Sequence, residues 1–433
     1  MSANEILQKI PIVVQSPNAT KHGGGLGKTR LAVQIASLVA IVLIPILGIF
    51  RIDVSAGFVV LGRQIWFSDF YIVFGSWLTL ASSLIMFYST LGTAFCGWVC
   101  PQNTLSAWAN NLTFKYLGKR AAVNWDADSS AKVANAKNKL SNWLMLGAKL
   151  LLVSMAIAIV PMLYFYPPDV VWSFVSFSAD ERVTKSLYLI FSVFVFIALV
   201  NLAVIRYYMC RYMCVYRIWQ FLFKSRQTLH VVYDETRADD CLKCNYCETV
   251  CPVDINPRNT AVYDSCTNCG ECITACSTIH KKHDTSGLLS YKFGERGLVS
   301  SSLSSLASRA TWALPAFLLG ISMFGWGLWN YQAYDVSVYR SEVWQGDHVS
   351  DYRISIAHKI YELGQVGIEV EGLPPEAYTL SEDEAHFTTA ERKDINLHIN
   401  KPLSPGLHPF LVRVRSKDGW EDSFTVQHFA EKK

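Results

Sequence analysis

The sequence predicts a membrane-bound α-helical protein with five transmembrane helices, an inserted cysteine-rich domain and a C-terminal β-sandwich. Three observations support this prediction. Apolar residues make up 51% of the 433 residues and charged residues only 17%, which is unusually apolar for a soluble protein. Eight cysteines between residues 241 and 276 repeat one spacing. After residue 331, short stretches alternate apolar and polar residues with the period of a β-strand.

Five segments have the length and apolarity needed to cross a bilayer, which takes about 20 residues. They lie approximately at residues 31–50, 70–92, 143–165, 187–209 and 312–330. The apolar run at 54–61 is short and flanked by charge, so we place it outside the membrane. Residues 1–30 are polar and are expected to form a cytoplasmic tail that ends in a flexible linker. Gln34 and Asn201 lie within spans, where they are expected to bond across helices or, alternatively, to contact a quinone.

Lysine and arginine in short loops predict the orientation, because basic loops stay in the cytoplasm. The loop between the second and third segments is strongly basic, with Lys115, Lys119, Arg120, Lys132, Lys137 and Lys139. The loops after the first and third segments hold only two basic residues each. We therefore expect a protein of the bacterial inner membrane with its N-terminus and cysteine-rich domain in the cytoplasm and its C-terminal domain in the periplasm. The reducing cytoplasm would keep the thiols intact.

The cysteine-rich domain carries the pattern C-x2-C-x2-C-x3-C twice, from Cys241 to Cys251 and from Cys266 to Cys276. This spacing is typical of bacterial two-cluster ferredoxins, in which the fourth cysteine of each run binds the other cluster. We therefore predict two [4Fe–4S] clusters. One is assigned Cys241, Cys244, Cys247 and Cys276, and the other Cys266, Cys269, Cys272 and Cys251. A structural zinc site would use two CxxC pairs instead.

Two features near the second run affect its expected geometry. Pro252 follows Cys251, whereas Ser277 follows Cys276, so the second corner should differ in shape. His280 and His283 are expected on a solvated surface turn rather than among the ligands.

The sequence has no nucleotide or flavin signature, and its net charge of +4 gives no indication of nucleic acid binding.

The remaining four cysteines form two CxxxC pairs, Cys96 with Cys100 and Cys210 with Cys214. Each pair follows the cytoplasmic end of a predicted span, so both should lie at one depth beside the ferredoxin domain. Residues four apart share one helix face, although Pro101 biases Cys100 away from helical geometry, so the first pair should straddle a helix end. Met209 and Met213 flank the second pair, and thiolate with thioether sulfur is the ligand set that selects Cu(I). A third Fe–S cluster, redox disulfides or simple burial of the thiols are alternative interpretations.

Residues 331–433 are predicted to form an immunoglobulin-like β-sandwich, because alternating segments are separated by turns rich in Pro and Gly. Nothing in this region suggests catalysis, so it would serve as a folded cap or a docking module. The predicted domains are the tail at 1–30, four helices with the CxxxC pairs at 31–230, the ferredoxin domain at 231–295, a linker with the fifth helix at 296–330, and the sandwich.

In their order along the chain, these motifs resemble the FixG/CcoG/RdxA family of cytochrome c oxidase accessory proteins. The resemblance rests on the segments 63–67, 95–102 and 212–217, the two cysteine runs and the C-terminal sandwich. It implies a role in the maturation of cbb3-type cytochrome c oxidase, in which Cu(II) is reduced to Cu(I) for the oxidase copper site. Copper would then be bound and reduced near Cys96, Cys100, Cys210 and Cys214. The family has proline after the second pair, where this chain has Val215.

Three functions are open at this level. The first is an Fe–S metalloreductase that supplies Cu(I) to the oxidase or its copper-assembly factors; one-electron transfer from a [4Fe–4S] cluster suits this reaction. The second is a conduit for electrons from membrane quinol. The third is a non-enzymatic scaffold that acts through residues 331–433. The electron donor is not recognisable in the sequence.

Overall fold

The computed structural model describes residues 25–53, 57–66, 69–118, 121, 133–224, 228–260, 264–294, 311–340, 351–400 and 403–430. Residues 1–24, most of the predicted tail, lie outside the described residues. The chain divides into two compact units, which are considered separately. The first comprises Met1–Leu43, Ser76–Met162 and Val170–Ile321, and the second Ile44–Gly75, Leu163–Asp169 and Ser322–Lys433.

The helices follow one another along both units. They are α1 (Gly25–Ile46), α2 (Phe70–Leu91), α3 (Ala94–Trp98), α4 (Pro101–Tyr116), α5 (Leu140–Phe165), α6 (Pro168–Val175), α7 (Lys185–Val200), α8 (Val215–Phe223), α9 (Tyr246–Thr249), α10 (Glu271–His280) and α11 (Leu314–Trp329). Among the described residues, four stretches are long and apolar enough to cross a membrane: Leu26–Ile46, Phe70–Leu91, Leu140–Phe165 and Lys185–Ile205.

These four stretches coincide with the first four predicted spans. Large apolar side chains such as Trp77, Leu152 and Leu189 stay exposed along them. A helix that is apolar all round but not covered by protein needs lipid around it. The fifth predicted span coincides with α11, which is apolar but has only 16 residues, so its crossing remains a prediction.

Helix α1 begins at Gly25, so the linker expected before residue 31 is wrong for residues 25–30. Those residues form the first turns of the helix. Arg30 is 7% exposed there and makes polar contacts within the first unit. A segment of Gly, Lys and Arg residues is typical of a flexible linker. The helix nevertheless begins before residue 31, because Arg30 has tertiary partners that stabilise its first turns.

Helix α7 ends at Val200 and is followed by two single-turn π-helical segments, Asn201–Ile205 and Met209–Met213. Arg206 between them has a left-handed φ of 46°. Its buried guanidinium donates to Leu202 O and Asn110 Oδ1 at 2.8 and 2.9 Å, which fixes the break in the helix. π-Helical turns of this kind are frequent at functional sites.

Asn201 bonds across helices as predicted. Its side-chain amide pairs with that of Gln102 on α4 through hydrogen bonds of 2.7 and 2.8 Å. Gln34 Nε2 lies 3.5 Å from Gly97 O in α3. Both polar side chains therefore stabilise helix packing, which is their ordinary use inside a membrane protein.

The strands form four antiparallel sheets in the described part of the chain. They are β1 (Phe50–Asp53), β2 (Gly57–Val60), β3 (Arg63–Ile65), β4 (Leu229–Tyr233), β5 (Leu289–Phe293), β6 (Tyr334–Arg340), β7 (Asp351–His358), β8 (Gly364–Glu371), β9 (Tyr378–Leu380), β10 (Glu384–Phe387), β11 (Glu391–Ile399), β12 (Gly406–Ser416) and β13 (Glu421–Ala430). Strands β1–β3 form one sheet, so the short apolar run near residue 57 belongs to a β-sheet, not to a span. Strands β4 and β5 pair with each other on either side of the cysteine runs.

The C-terminal region contains two four-stranded sheets, with strand orders β6-β7-β11-β9 and β10-β8-β12-β13. Inward-facing residues of both sheets, including Ile354, Leu397, Val366 and Val412, belong to one buried hydrophobic cluster. The period-two pattern in the sequence thus correctly predicts strands with one buried face. The immunoglobulin-like classification remains a prediction.

A buried ion pair joins the N-terminal part of the second unit to these sheets. Lys359 is 3% exposed and its Nζ lies 2.9 Å from Asp69 Oδ1. The backbone of Gln64 on β3 donates to Lys359 O at 3.0 Å. The small sheet β1–β3 therefore packs as part of the C-terminal β-rich unit.

Helix α11 packs against α2 through two glycines. Within the first unit, a Cβ at Gly320 would lie 2.7 Å from the backbone N of Thr79. Within the second unit, a Cβ at Gly327 would lie 2.9 Å from the backbone N of Ile72. Small residues at such positions let helix backbones approach closely, which is the usual packing of neighbouring transmembrane helices.

We expect Gly320→Ala and Gly327→Ala each to destabilise the protein by about 1–3 kcal/mol, because the added methyl groups would overlap atoms of α2. Gly325→Ala on the same helix is the matched control, since a Cβ there meets nothing within 4 Å. It should be neutral or stabilising by up to about 1 kcal/mol through helix propensity. Thermal unfolding in detergent measures the differences, and equal midpoints for Gly320→Ala and Gly325→Ala would contradict the packing.

Candidate metal centres

The eight cysteines of the two runs surround two separate cavities in the first unit. Cavity A is lined by Cys241, Cys244, Cys247 and Cys276, with Tyr233 and Arg258 among the other lining residues. Cavity B is lined by Cys251, Cys266, Cys269 and Cys272, with Val231 and Val253. Each cavity takes three cysteines from one run and the fourth from the other. This donor set and its grouping fit one [4Fe–4S] cluster per cavity.

Left-handed backbone residues bend both runs at equivalent positions. They flank the second cysteine of each run, with φ between 48° and 76°: Lys243 and Asn245 in the first run, Asn268 and Gly270 in the second. Asparagine and glycine tolerate this conformation better than other residues. The turns wrap each chain segment around its cavity, so that three thiols can face one centre.

Backbone N–H groups donate to two of the sulfur atoms, one from a left-handed turn and one from the segment before β5. Asn268 N–H donates to Cys266 Sγ at 3.4 Å, and Leu288 N–H donates to Cys276 Sγ at 3.3 Å. Hydrogen bonds to the sulfurs stabilise negative charge and are one of the means by which a protein sets a cluster potential.

The two cavities differ in exposure. Cys269 and Cys272 in cavity B are each 8% exposed, whereas Cys244 in cavity A is exposed. Burial raises the pKa of the Cys266 thiol to about 12. In cavity A, burial of Cys241 is outweighed by hydrogen bonds from Lys243 N–H, Tyr233 and Arg258, which lower its pKa. Solvent exposure and hydrogen bonding both influence potential, so the two cluster positions are inequivalent.

The corner after Cys276 differs from its counterpart, as the sequence predicts. Cys276 lies inside α10, which continues to His280 because Ser277 permits helix where proline would not. Gly287 packs against this turn, since a Cβ there would lie 2.7 Å from Ser277 Oγ. The surface prediction is wrong for His280, which is 4% exposed and bonds through Nδ1 to Thr285 Oγ1 at 2.8 Å. His283 is exposed, as predicted.

The two CxxxC pairs share one local geometry. Cys96 lies in α3, and Cys100 is extended (φ −61°, ψ 122°) immediately before α4, whose first residue is Pro101. Cys210 lies in the second π-helical segment, and Cys214 is extended (φ −73°, ψ 112°) immediately before α8. The prediction that the first pair straddles a helix end is therefore confirmed, and the second pair does the same.

Val215 occupies the position where the resembled family has proline. It is the first residue of α8, just as Pro101 is the first residue of α4. Proline favours this position because its fixed φ suits a first helical residue, but other residues also adopt it. Cys214 consequently has the same extended conformation as Cys100 without proline.

The four thiols of these pairs, called here the membrane thiols, are close enough to influence one another electrostatically. Burial, together with the charges of the other three thiols, raises the pKa of the Cys210 thiol to about 12. Burial also raises the pKa of the Cys96 thiol to about 11, against a lowering by a hydrogen bond from Gln220. That bond, from Nε2 to Cys96 Sγ, is 2.9 Å long. A bound cation would offset the cost of deprotonating these buried thiols.

The flanking methionines are less enclosed than the thiols. Met209 is half-buried, and Met213 is 51% exposed. Within the described residues, no three His, Cys, Asp or Glu side chains lie close enough together to hold a single metal ion. Ligation of one ion by three membrane thiols would thus require side-chain movement.

Arg30 is a site residue that sequence reasoning missed. It pairs with Glu271 of the second cysteine run, and its Nε and Nη2 donate to Gly97 O and Asn103 Oδ1 at 2.9 and 3.2 Å. Arg30 thereby links α1, the first CxxxC loop and the ferredoxin domain. An arginine at the start of an apolar helix was the one sequence signal for a buried polar site. Its partners could not be identified from the sequence, because they lie 67 or more positions away.

Two family models match parts of the chain. A model described as a 4Fe-4S dicluster domain matches residues 236–293, which include all eight cysteines of the two runs. A second, described as a 4Fe-4S binding domain, matches residues 73–120, which include Cys96 and Cys100. Together with the two cysteine-lined cavities, the dicluster match shows that the chain carries two [4Fe–4S] clusters.

Two curated proteins are similar to this chain. Protein RdxA from Cereibacter sphaeroides is 27% identical over 251 residues, which cover 54% of this chain and 51% of RdxA. Nitrogen fixation protein FixG from Rhizobium meliloti is 26% identical over 254 residues, which cover 53% of this chain and 45% of FixG. The matched region therefore spans about half the length of these relatives.

A solved structure is also similar over a smaller region. The crystal structure of a FixG-related protein from Vibrio parahaemolyticus aligns with 24% of this chain and 100% of its own, at 12% identity and a TM-score of 0.21. That score is too low to establish a shared fold.

We expect Arg30→Gln to destabilise the first unit by about 1–3 kcal/mol, because Glu271 loses its partner and Gly97 O loses a buried donor. Lys28→Gln, which alters an exposed cation on the same helix, is the matched control. Loss of the visible cluster absorbance during thermal unfolding reports the stability of this region. If both variants lose it at the same temperature, Arg30 does not hold the elements together.

Proposed function

We propose that this chain is an iron–sulfur electron-transfer protein of the FixG/RdxA family, and that it reduces Cu(II) to Cu(I) for assembly of a cbb3-type cytochrome c oxidase. One observation supports this proposal above the others. Four mutually coupled thiols lie at the ends of apolar helices, and the loop of the first pair packs against the second cysteine run. A one-electron carrier thus lies next to a set of soft ligands.

The proposed cluster ligands follow the two cavities: Cys241, Cys244, Cys247 and Cys276 in cavity A, and Cys251, Cys266, Cys269 and Cys272 in cavity B. Bound iron–sulfur clusters supply the transfer of single electrons. The residues of the chain hold the thiolates in place through the left-handed turns and stabilise their charge through backbone N–H donors. Arg258 adds a nearby cation at cavity A, where it also pairs with Glu248 at 3.6 Å.

Copper enters this proposal as a substrate near Cys96, Cys100, Cys210 and Cys214, with Met209 and Met213 beside them. Soft sulfur ligands prefer Cu(I), so they raise the potential of the Cu(II)/Cu(I) couple and favour its reduction. Bound clusters would supply one electron to each Cu(II), which would thereby become Cu(I), and the electron transfer itself needs no proton. Gln220 positions Cys96 by donating to its sulfur.

The location and partners are part of the same proposal. The distribution of basic loops favours the inner membrane, with the ferredoxin domain in the cytoplasm and residues 331–433 in the periplasm. Helix α11 would be the fifth span, because it is apolar and packs closely against α2. The two C-terminal sheets would form an immunoglobulin-like domain that docks to the oxidase or to its copper-assembly factors.

A second role for the membrane thiols is favoured by one comparison. The 4Fe-4S binding model that matches residues 73–120 includes Cys96 and Cys100. The membrane thiols would then hold a third [4Fe–4S] cluster rather than meet copper directly. Iron analysis distinguishes the two roles, because two clusters give about 8 iron atoms per chain and three give about 12.

We expect a Cys96→Ala/Cys100→Ala variant to lose Cu(II) reduction while it keeps the wild-type iron content, since cavities A and B retain all their cysteines. The measurement is anaerobic: dithionite-reduced protein is mixed with Cu(II), and Cu(I) is detected with a chromogenic chelator. Ser192→Ala, which removes an exposed hydroxyl on α7, is the control and should behave as wild type. Normal reduction by the double variant would refute the copper proposal, and a fall of about 4 iron atoms would favour the third cluster.

A further inference from the structure

Cavity B lies directly against the loop of the first CxxxC pair, and we propose that electrons reach the membrane thiols from the cluster position in cavity B, with Gly97 as the positioning residue for this transfer. The inference rests on the proposed function, because it names the donor position for the same acceptor site. It concerns the contact between two loops of the first unit.

Gly97 is the residue at which the two loops meet. It follows Cys96 within α3, and a Cβ at this position would lie 2.5 Å from Thr267 O and 2.7 Å from Cys269 Cα. Real Cβ atoms do not approach backbone atoms this closely, so a larger residue would push the loops apart. Its backbone is helical, so close approach rather than a special conformation is the reason for glycine here. Thr267 and Cys269 both line cavity B.

Two hydrogen bonds hold the same contact on either side of Gly97. Thr93 Oγ1 donates to Cys266 O at 2.8 Å, and Trp98 Nε1 donates to Asn268 O at 3.0 Å. Both acceptors belong to the second run, and Cys266 lines cavity B. Three successive contacts therefore fix the distance between the first thiol pair and the second run.

Two polar side chains connect cavity B with both CxxxC pairs. The Tyr207 phenol is electrostatically coupled to Cys269 and to Cys210. Lys224 is coupled to Cys266 and to Cys96. Each of these two side chains thus interacts with one cysteine of cavity B and with one membrane thiol. Cys244 of cavity A is instead exposed to solvent. This arrangement suits entry of electrons at cavity A and their exit from cavity B.

The first test compares Gly97→Ala with Gly147→Ala in the full-length protein. A Cβ at Gly147 meets nothing within 4 Å, so that variant should transfer electrons at the wild-type rate. Dithionite-reduced protein is mixed with Cu(II), and cluster oxidation is followed by stopped-flow absorbance. Gly97→Ala should be slower severalfold, because the added methyl group separates the two loops and electron transfer slows exponentially with the distance between donor and acceptor. Iron content and electron paramagnetic resonance spectra should match wild type, as a positioning role requires.

The outcomes separate the inference from the proposed function. If wild-type protein does not reduce Cu(II), the proposed function fails. If wild type reduces Cu(II) and Gly97→Ala does so at the same rate with intact clusters, the assignment of Gly97 and cavity B is overturned. If Gly97→Ala loses iron, the assignment of cavity B is decided by the second test. The main measurement of that test uses wild-type protein.

The second test follows both cluster potentials while Ag(I), a redox-inert analogue of Cu(I), is added to wild-type protein. Ag(I) at the membrane thiols should shift the potential of the cavity B cluster and leave that of cavity A nearly unchanged. Arg258→Gln identifies the cavity A signal, because Arg258 lines that cavity. The shift should disappear in Cys96→Ala/Cys100→Ala. A shift confined to the cavity A signal would overturn the inference, whereas absence of Ag(I) binding would count against the proposed function.

Discussion

The close approach of two backbones at Gly97 is the constraint on which the first unit depends. The loop of a membrane-end cysteine pair touches the backbone of the second ferredoxin run there, with no side chain between them. Arg30 donates to the carbonyl of this same glycine and pairs with Glu271. Burying a guanidinium is costly unless it is paired and fully hydrogen-bonded. With Asn103 on α4 as the third acceptor, the partners of Arg30 come from three different elements. The ion pair and hydrogen bonds of Arg30 and the absence of a side chain at Gly97 thus fix the distance between the first CxxxC loop and the second cysteine run.

The ferredoxin domain has few apolar residues with which to stabilise itself. Its buried cluster contains Val231, Cys272 and Leu289, and several of the side chains around it are also cysteines. If these cysteines bind the clusters, as proposed, iron binding is coupled to folding, because the same residues must be ordered for both. The domain gains further order from the β4–β5 pair and from its contacts with α1 and α3. The two cavities differ in exposure although the two cysteine runs repeat one spacing, because the contacts with α1 and α3 are made by the second run.

The two CxxxC pairs reach the same local geometry by different backbone routes. The first pair uses a short helix and a proline-started helix, and the second uses a π-helical turn after the break at Arg206. Buried polar bonds from Arg206 and Asn201 fix that break, so its geometry is a property of the packed helices. Both routes leave the second cysteine extended at the start of a helix, which turns its thiol away from the regular helix surface.

The sequence by itself determined the features that depend on local pattern. Cysteine spacing predicted how the eight cysteines divide between two cavities, and period-two alternation predicted the C-terminal strands. Apolar length predicted five spans, four of which coincide with helices long and apolar enough to cross a membrane. Pro101 predicted the helix end at Cys100, since its effect on the preceding residue is local. Tertiary structure alone decided the features that depend on partners far away in the chain. Arg30 became part of a helix and a buried pair, because its partners lie 67 or more residues away. Gly97 became a contact point, because the backbone atoms that it meets belong to the second cysteine run.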